Sequence, residues 1–183
     1  MLTDLQKIKL TKLFGMYDAQ NNGSLDVKDF ENIAKKIAHF RNWSSRSPQY
    51  IILYEKLMRK WKSMLQRADT THNKKVSLAE WLTYYDEALA DQGTYANEIQ
   101  TLMESLFESF DRDNDGLISQ EEWGELLCVY SISPVYAPLI FSRLDGNEDG
   151  HLSKDEVMQL LQEFFYSNDP DTPANIMFGP CQL

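Results

Sequence analysis

The sequence lacks the features that mark disulfide-stabilised, membrane-spanning and nucleic-acid-binding proteins. Two cysteines, Cys128 and Cys181, are too few for a disulfide framework. We expect Cys128 to be buried in a helix and Cys181 to be an exposed thiol. No apolar run is long enough to cross a bilayer, so no membrane span is predicted. The formal net charge of −10 argues against a nucleic-acid partner, because phosphate binding requires a basic surface.

Histidine is scarce, and the N-terminus shows no targeting signal. Two of the three histidines fall within the acidic loops described below, which leaves His39 on a predicted helix. We find no nucleophile with a partner base and no phosphate-binding glycine loop, so we expect no enzymatic activity. The first residues lack the hydrophobic stretch of a secretory signal, and Leu2 replaces the glycine that myristoylation requires. A cytoplasmic location is therefore expected.

Apolar residues, by contrast, are plentiful and follow a helical repeat. Hydrophobic residues make up 43% of the 183 residues and aromatic residues 12%, which is enough for a substantial core. They recur at the spacing of amphipathic helices on both sides of four acidic loops. This alternation predicts an all-α fold.

The clearest of the four loops is residues 111–122, in which oxygen-bearing side chains alternate along the chain. Such a stretch can surround a hard divalent cation with carboxylate, carbonyl and water oxygens. The predicted ligands are Asp111, Asp113, Asp115, the Leu117 carbonyl, Ser119 through a water molecule, and Glu122. Gly116 stands where the chain must turn sharply. The pattern resembles the EF-hand calcium loop, whereas a simple solvated turn with a helix cap has no need of every ligand position.

Residues 145–156 repeat this pattern with every key position filled. The predicted ligands are Asp145, Asn147, Asp149, the His151 carbonyl and Glu156. We expect this loop to bind calcium as well.

Residues 18–29 form a third copy with a different final ligand. The predicted ligands are Asp18, Gln20, Asn22, the Ser24 carbonyl, Asp26 and Asp29. Asp29 is shorter than the usual glutamate and can offer one oxygen instead of two, which would favour the smaller Mg²⁺. We expect a divalent ion here, and the alternative is a solvated turn.

Residues 69–80 are a degenerate copy. The possible ligands are Asp69, Thr71, Asn73, Lys75 through its carbonyl, Ser77, and Glu80. Lys74 replaces the turn glycine. Only two carboxylates remain to offset the charge of an ion, and the two adjacent lysines would repel it. We expect this loop to be vacant and to be kept as a pairing partner.

The four loops constitute an internal repeat that predicts how the chain is divided. The eighth position is apolar each time, at Leu25, Val76, Ile118 and Leu152, which suits short antiparallel pairing of adjacent loops. We therefore expect an EF-hand pair in residues 1–91, a second pair in residues 92–166, and a C-terminal tail in residues 167–183.

The repeat and the chain end together resemble one family. The most specific similarity outside the loops is the stretch FFYSNDP at 164–170, followed by Pro173, Asn175 and the triplet MFG at 177–179. Over essentially its whole length the chain resembles the sarcoplasmic calcium-binding proteins, including calerythrin and calexcitin. The resemblance implies a compact globule of two packed EF-hand pairs, with a tail that lies against the helices. It also implies that three of four loops commonly bind an ion.

Three functions fit this sequence. The first is a calcium buffer or calcium-signal modulator with about three bound ions, which would reduce the net charge from −10 to about −4. The second is a calcium sensor that opens an apolar groove to a protein target of unknown identity. The third is a small-ligand binder like the calcium-triggered photoproteins, with aromatic residues lining a cavity. In each case we expect a monomer.

Overall fold

The computed structural model describes residues 1–180, and these contain eight helices of eight or more residues. The helices are α1 (Asp4–Tyr17), α2 (Val27–Phe40), α3 (Pro48–Ala68), α4 (Leu78–Ala90), α5 (Thr101–Phe110), α6 (Gln120–Val129), α7 (Ala137–Leu144) and α8 (Lys154–Tyr166). A helical turn at Gln92–Thr94 and a π-helical segment at Tyr95–Gln100 lead directly into α5. Short 3-10 helices lie at Pro134–Tyr136 and Pro173–Ile176. The predicted all-α fold is confirmed.

Each loop fixes the start of the helix that follows it. The ninth loop residue caps that helix, and the twelfth returns its side chain to the backbone of the cap residue. The caps are Asp26, Ser77, Ser119 and Ser153. This reciprocal arrangement satisfies backbone N–H groups that a helix start otherwise leaves unpaired.

Short antiparallel strands join the loops in pairs. Strand β1 (Ser24–Leu25) pairs with β2 (Val76–Ser77), and β3 (Leu117–Ser119) pairs with β4 (His151–Ser153). The apolar eighth residues face each other, Leu25 with Val76 and Ile118 with Leu152, and all four are buried. The predicted pairing of adjacent loops is confirmed.

One hydrophobic core runs through both EF-hand pairs. Tyr17 on α1 contacts Tyr130 at the end of α6, with ring centroids 5.8 Å apart. Tyr85 on α4 stacks on Phe165 of α8 at the same centroid distance of 5.8 Å. The Lys36 ammonium donates to the Val129 carbonyl across 2.9 Å. The pairs therefore pack as a compact globule, and the boundary between residues 91 and 92 stays a prediction.

The tail lies against α1 and the C-terminal helices, as predicted, over its described residues 167–180. Lys9 donates to the Ser167 carbonyl across 2.9 Å, and Lys12 donates to the carbonyls of Gly179 and Pro180. Phe178 is buried and meets Phe164 edge to face at 5.1 Å. The tail thus adds apolar side chains to the core.

Two remaining expectations concern the cysteines and the membrane. Cys128 lies on α6 and is partly exposed rather than buried, and Cys181 lies outside the described residues. Within residues 1–180, no helix has both the length and the apolar character needed to cross a bilayer.

Candidate metal centre

All four loops share one backbone conformation, including the degenerate loop 69–80. The sixth loop residue has a positive φ in each case, and so does the fourth. At the sixth position the φ values are 77° for Gly23, 61° for Lys74, 84° for Gly116 and 85° for Gly150. Lys74 therefore adopts a left-handed conformation that costs a residue with a side chain more than it costs glycine. The turn therefore forms without a glycine, and the effect of Lys74 is on the energy of the turn.

In loop 111–122, three carboxylates converge. Oxygen atoms of Asp111, Asp113 and Asp115 all lie within 4.8 Å of one another. The two oxygens of Asp111 accept from the backbone N–H groups of Asp115 and Gly116, at 3.1 and 3.0 Å. These hydrogen bonds hold like charges together, and a divalent cation would offset their repulsion. Carboxylate oxygens at this spacing suit Ca²⁺.

The twelfth residue of the same loop, Glu122, is buried and held at both oxygens. Oε2 accepts from the backbone and the hydroxyl of Ser119, each at 2.8 Å, and Oε1 accepts from the Arg112 backbone at 2.7 Å. The Arg112 side chain points to Glu125, with an ion pair of 3.0 Å. Glu122 thus helps to start the helix that follows the loop. The other two predicted donors, Leu117 and Ser119, are the first and last residues of strand β3.

Loop 145–156 has the same framework. Asp145 accepts from the backbone of Asp149 at 3.2 Å and of Gly150 at 2.9 Å. Asn147 accepts from the Asp149 backbone at 3.0 Å, and Asp149 accepts from the His151 backbone at 2.9 Å. At the far end, Glu156 Oε2 accepts from the backbone and hydroxyl of Ser153 at 2.9 and 2.7 Å. The side chains of Asp145, Asn147, Asp149 and Glu156 are therefore held by the same kinds of hydrogen bond as their counterparts in loop 111–122.

Loop 18–29 contains a buried carboxylate oxygen with no protein partner. Asp29 is 2% exposed, and its Oδ2 accepts from the Asp26 backbone at 2.8 Å. Its Oδ1 is buried and has no hydrogen-bond partner among the described residues. Burial raises the pKa of Asp29, and the carboxylates of Asp26 and Asp18 add to the rise. An unpaired buried charge is costly, and a bound cation would supply the missing partner.

Two other predicted donors of loop 18–29 accept hydrogen bonds from the loop backbone. Asp18 is buried and accepts from the backbone of Asn22 at 3.0 Å and of Gly23 at 2.8 Å. Asn22 in turn accepts from the Ser24 backbone at 3.0 Å, and Gln20 is exposed. The residues present therefore fit a divalent cation.

In loop 69–80, protein donors occupy both oxygens of the last carboxylate. Glu80 Oε1 accepts from the backbone and hydroxyl of Thr70, each at 3.1 Å, and Oε2 accepts from the backbone and hydroxyl of Ser77 at 2.9 and 2.8 Å. These hydrogen bonds lower the pKa of Glu80, and the bond from the Ser77 backbone has the largest effect. Glu122 is held in the same way, so loop 69–80 shares this framework with loop 111–122.

The first half of loop 69–80 has the same backbone hydrogen bonds as the other loops. Asp69 accepts from the Asn73 backbone and the Thr71 hydroxyl at 3.2 Å each, and from the Lys74 backbone at 2.9 Å. Asn73 accepts from the Lys75 backbone at 2.8 Å. Sequence reasoning missed Thr70, whose hydroxyl at the second loop position was the available signal.

A buried polar cluster, also missed from sequence, lies outside the loops. Lys60 on α3 is 4% exposed, and its ammonium lies 2.9 Å from the Tyr84 hydroxyl and 4.4 Å from the centre of the Tyr84 ring. Tyr84 donates to Glu98, whose other oxygen accepts from Ser63 at 2.7 Å. Burial lowers the pKa of Lys60 to about 7, although Glu98 partly opposes this. The cluster ties α3 and α4 to the π-helical segment.

Comparison with known proteins agrees with this geometry. The EF hand family model matches residues 102–127 and 139–161, which contain the third and fourth loops. A sarcoplasmic calcium-binding protein of Perinereis vancaurica tetradentata is 28% identical over 179 residues, covering 97% of this chain and 99% of that protein. Calerythrin of Saccharopolyspora erythraea is 21% identical over 168 residues, covering 91% and 95%.

A solved structure has the same fold. The sarcoplasmic calcium-binding protein from amphioxus superposes with a TM-score of 0.73 at 20% identity, covering 98% of this chain and 100% of that one. The matched repeat, the paired loops and their oxygen donors lead to one conclusion. The chain has two segments that match the EF hand model, and over nearly its whole length it is similar to the sarcoplasmic calcium-binding proteins and calerythrin.

Proposed function

We propose that the chain is a calcium buffer or calcium-signal modulator that stays closed when it binds calcium. The observation that carries this proposal is the position of the tail. Met177 and Phe178 are buried and line the same apolar pocket as Phe107, Trp123 and Leu126. In a sensor, a groove of this kind is offered to a partner helix. Here the chain's own tail fills it.

We propose about three bound ions, in loops 18–29, 111–122 and 145–156. Bound Ca²⁺ supplies the positive charge that the clustered carboxylates lack. In the N-terminal pair, the support comes from a contrast: Asp29 has a buried oxygen without a protein partner, whereas loop 69–80 has two carboxylates, Asp69 and Glu80, beside Lys74 and Lys75. We therefore assign the ion to loop 18–29 and propose that loop 69–80 is vacant. Because Asp29 is shorter than glutamate, Mg²⁺ can also bind in loop 18–29.

The same proposal includes a cytoplasmic monomer without enzymatic activity. The remaining alternative, a photoprotein-like small-ligand binder, finds little support in the core. The pocket that the tail lines has a free volume of about 30 Å³. That is room for about one or two water molecules, whereas ligand sites are about tenfold larger.

Titration calorimetry with calcium, with and without magnesium, tests the assignment of ions. We expect three calcium ions, and magnesium should compete best at one site. If two ions bind, the assignment of loop 18–29 is the first to be abandoned; if four bind, the proposal that loop 69–80 is vacant is wrong.

Binding of a dye that fluoresces on apolar surfaces tests the closed state separately. We expect little change in fluorescence when calcium is added, because Met177 and Phe178 keep the pocket filled. A large calcium-dependent rise would identify the chain as a sensor and overturn the buffer proposal.

A further inference from the structure

A surface cavity lies where the two predicted EF-hand pairs meet. The segment after α2 and the first turns of α3 form one wall, and α5 with the start of loop 111–122 forms the other. The cavity has a volume of about 260 Å³. Typical ligand sites begin at roughly 300 Å³, so this one suits a small molecule. The lining groups that define its chemistry are Arg41, Trp43, Ile52, Ser105, Glu108 and Ser109.

Arg41 lines this cavity with a guanidinium group that has no acceptor in the described chain. Its Nε and Nη1 atoms are buried, and neither donates a hydrogen bond within residues 1–180. The guanidinium lies 5.5 Å from the centre of the Trp43 ring. This cation–π contact orients the group, but a ring face does not replace an oxygen acceptor. Because buried polar groups are almost always hydrogen-bonded, the unpaired guanidinium indicates an acceptor from outside the chain.

The other charged groups near the cavity favour an anion as that acceptor. Among the described lining residues, the one carboxylate is Glu108, whose side chain is 64% exposed and pairs with the Lys154 ammonium at 3.2 Å. Lys56 on α3 donates to the buried hydroxyl of Ser105. That hydroxyl keeps its own proton for a further acceptor. A second cation therefore lies close to the cavity, whereas the acidic group already has a cationic partner.

Apolar groups lie beside this positive end. Ile52 is 53% exposed, and Trp43 is partly exposed. A bare inorganic anion would leave both side chains in contact with water, whereas a ligand with an apolar body would cover them. The lining thus combines a site for negative charge with a site for a hydrocarbon or aromatic group.

We infer that this cavity binds a small organic carboxylate with an apolar body, of the arylacetate class. The carboxylate would accept hydrogen bonds from Arg41, since its planar geometry matches the donors of a guanidinium group. The aromatic body would lie against Trp43 and Ile52. The site is separate from the proposed calcium sites, because none of the predicted calcium ligands is among its described lining residues.

Calorimetry on the calcium-saturated full-length chain tests this inference with three probes. Phenylacetate has both the charge and the apolar body, phenylacetamide has the body without the charge, and inorganic phosphate has charge without the body. We expect one phenylacetate to bind per chain, at least about tenfold more tightly than either of the other probes. The reason is that a charge-assisted hydrogen bond is stronger than a neutral one, and that phosphate buries no apolar surface.

Arg41→Gln removes the guanidinium charge and should weaken phenylacetate about tenfold or more. The matched control is Arg46→Gln, which removes the same charge from an exposed position in the same connection between α2 and α3. It should leave the affinity within about 1.5-fold, since exposed charges at a distance are screened. The number of bound calcium ions should stay unchanged in both variants.

Ile52→Glu tests the site through a second residue, at an exposed position where folding is not at risk. The added carboxylate should repel phenylacetate and weaken it about threefold to fivefold, as expected for charges near the surface. The inference is overturned if phenylacetate does not bind, because water molecules then serve as the acceptors for Arg41. It is also overturned if phenylacetamide binds as tightly as phenylacetate, or if Arg46→Gln weakens binding as much as Arg41→Gln.

Discussion

Replacing Asp29 with asparagine should change stability in opposite directions with and without calcium. No group among the described residues donates a hydrogen bond to the buried Oδ1 of Asp29. A buried group left unsatisfied costs about 1–3 kcal/mol, so removing its charge should stabilise the metal-free fold by about 1–2 kcal/mol. For a chain of this size, that corresponds to a rise in Tm of about 2–8 °C.

In excess calcium the same variant should lose a ligand and one bound ion. An ion present at a hundred times its Kd stabilises the fold by about 2.7 kcal/mol, which exceeds the gain in the metal-free state. Asp29→Asn should therefore be about 1 kcal/mol less stable than the parent chain when calcium is saturating. Denaturant titrations in chelator and in calcium measure both values, and calorimetry should count one ion fewer.

The matched control is Glu80→Gln at the same position of the degenerate loop. Glu80 has four protein hydrogen bonds, and an amide nitrogen cannot accept those made by Thr70 or Ser77. This variant should lose about 1–3 kcal/mol both with and without calcium, and the number of ions should not change. The reasoning is refuted if Asp29→Asn fails to stabilise the metal-free chain, or if Glu80→Gln removes an ion.

Three further predictions concern the tail, the buried lysine and the turn in loop 69–80. Phe178→Ala should cost about 3–5 kcal/mol and increase apolar dye binding, whereas an exposed Pro180→Ala should do neither; unchanged dye fluorescence would contradict a tail that fills the pocket. The pKa of Lys60 is lowered to about 7, so above that pH the unfolded chain binds more protons than the folded chain. The free energy of unfolding should therefore rise from pH 7 to pH 9 by up to about 1.4 kcal/mol per pH unit. Lys60→Met should remove this slope in denaturant titrations. Lys74→Gly should stabilise the chain by up to about 1 kcal/mol without adding a calcium ion in calorimetry, since it relieves a left-handed φ of 61° but adds no carboxylate.

The loops and their pairing could be predicted from sequence because their determinants are local. Oxygen donors at alternate positions, a glycine at the sixth and an apolar residue at the eighth each act within one loop. The pairing of Ile118 with Leu152 follows from that eighth position. The caps could also be read, since Ser119 and Glu122 are neighbours along the chain.

The features that sequence did not reveal depend on contacts between distant segments. The burial of Lys60 is set by Tyr84 on another helix, and the hydrogen bonds to Glu80 depend on Thr70 at the other end of its loop. The π-helical segment also escapes a search for α-helical spacing, because Tyr95 and Gln100 repeat at five residues. The prediction that Cys128 is buried was wrong, because a position on a helix does not by itself show whether that face of the helix packs against the core.

The short strands between loops have a consequence for the shape of the calcium titration curve. Strands β3 and β4 join two loops that we propose both bind, so ordering one loop reduces the conformational entropy that the other must lose. We expect these two sites to fill cooperatively, with a Hill coefficient above one. Loop 18–29 is joined through Leu25 and Val76 to a loop that we propose is vacant. Its ion should therefore bind as an independent step with a simple hyperbolic curve.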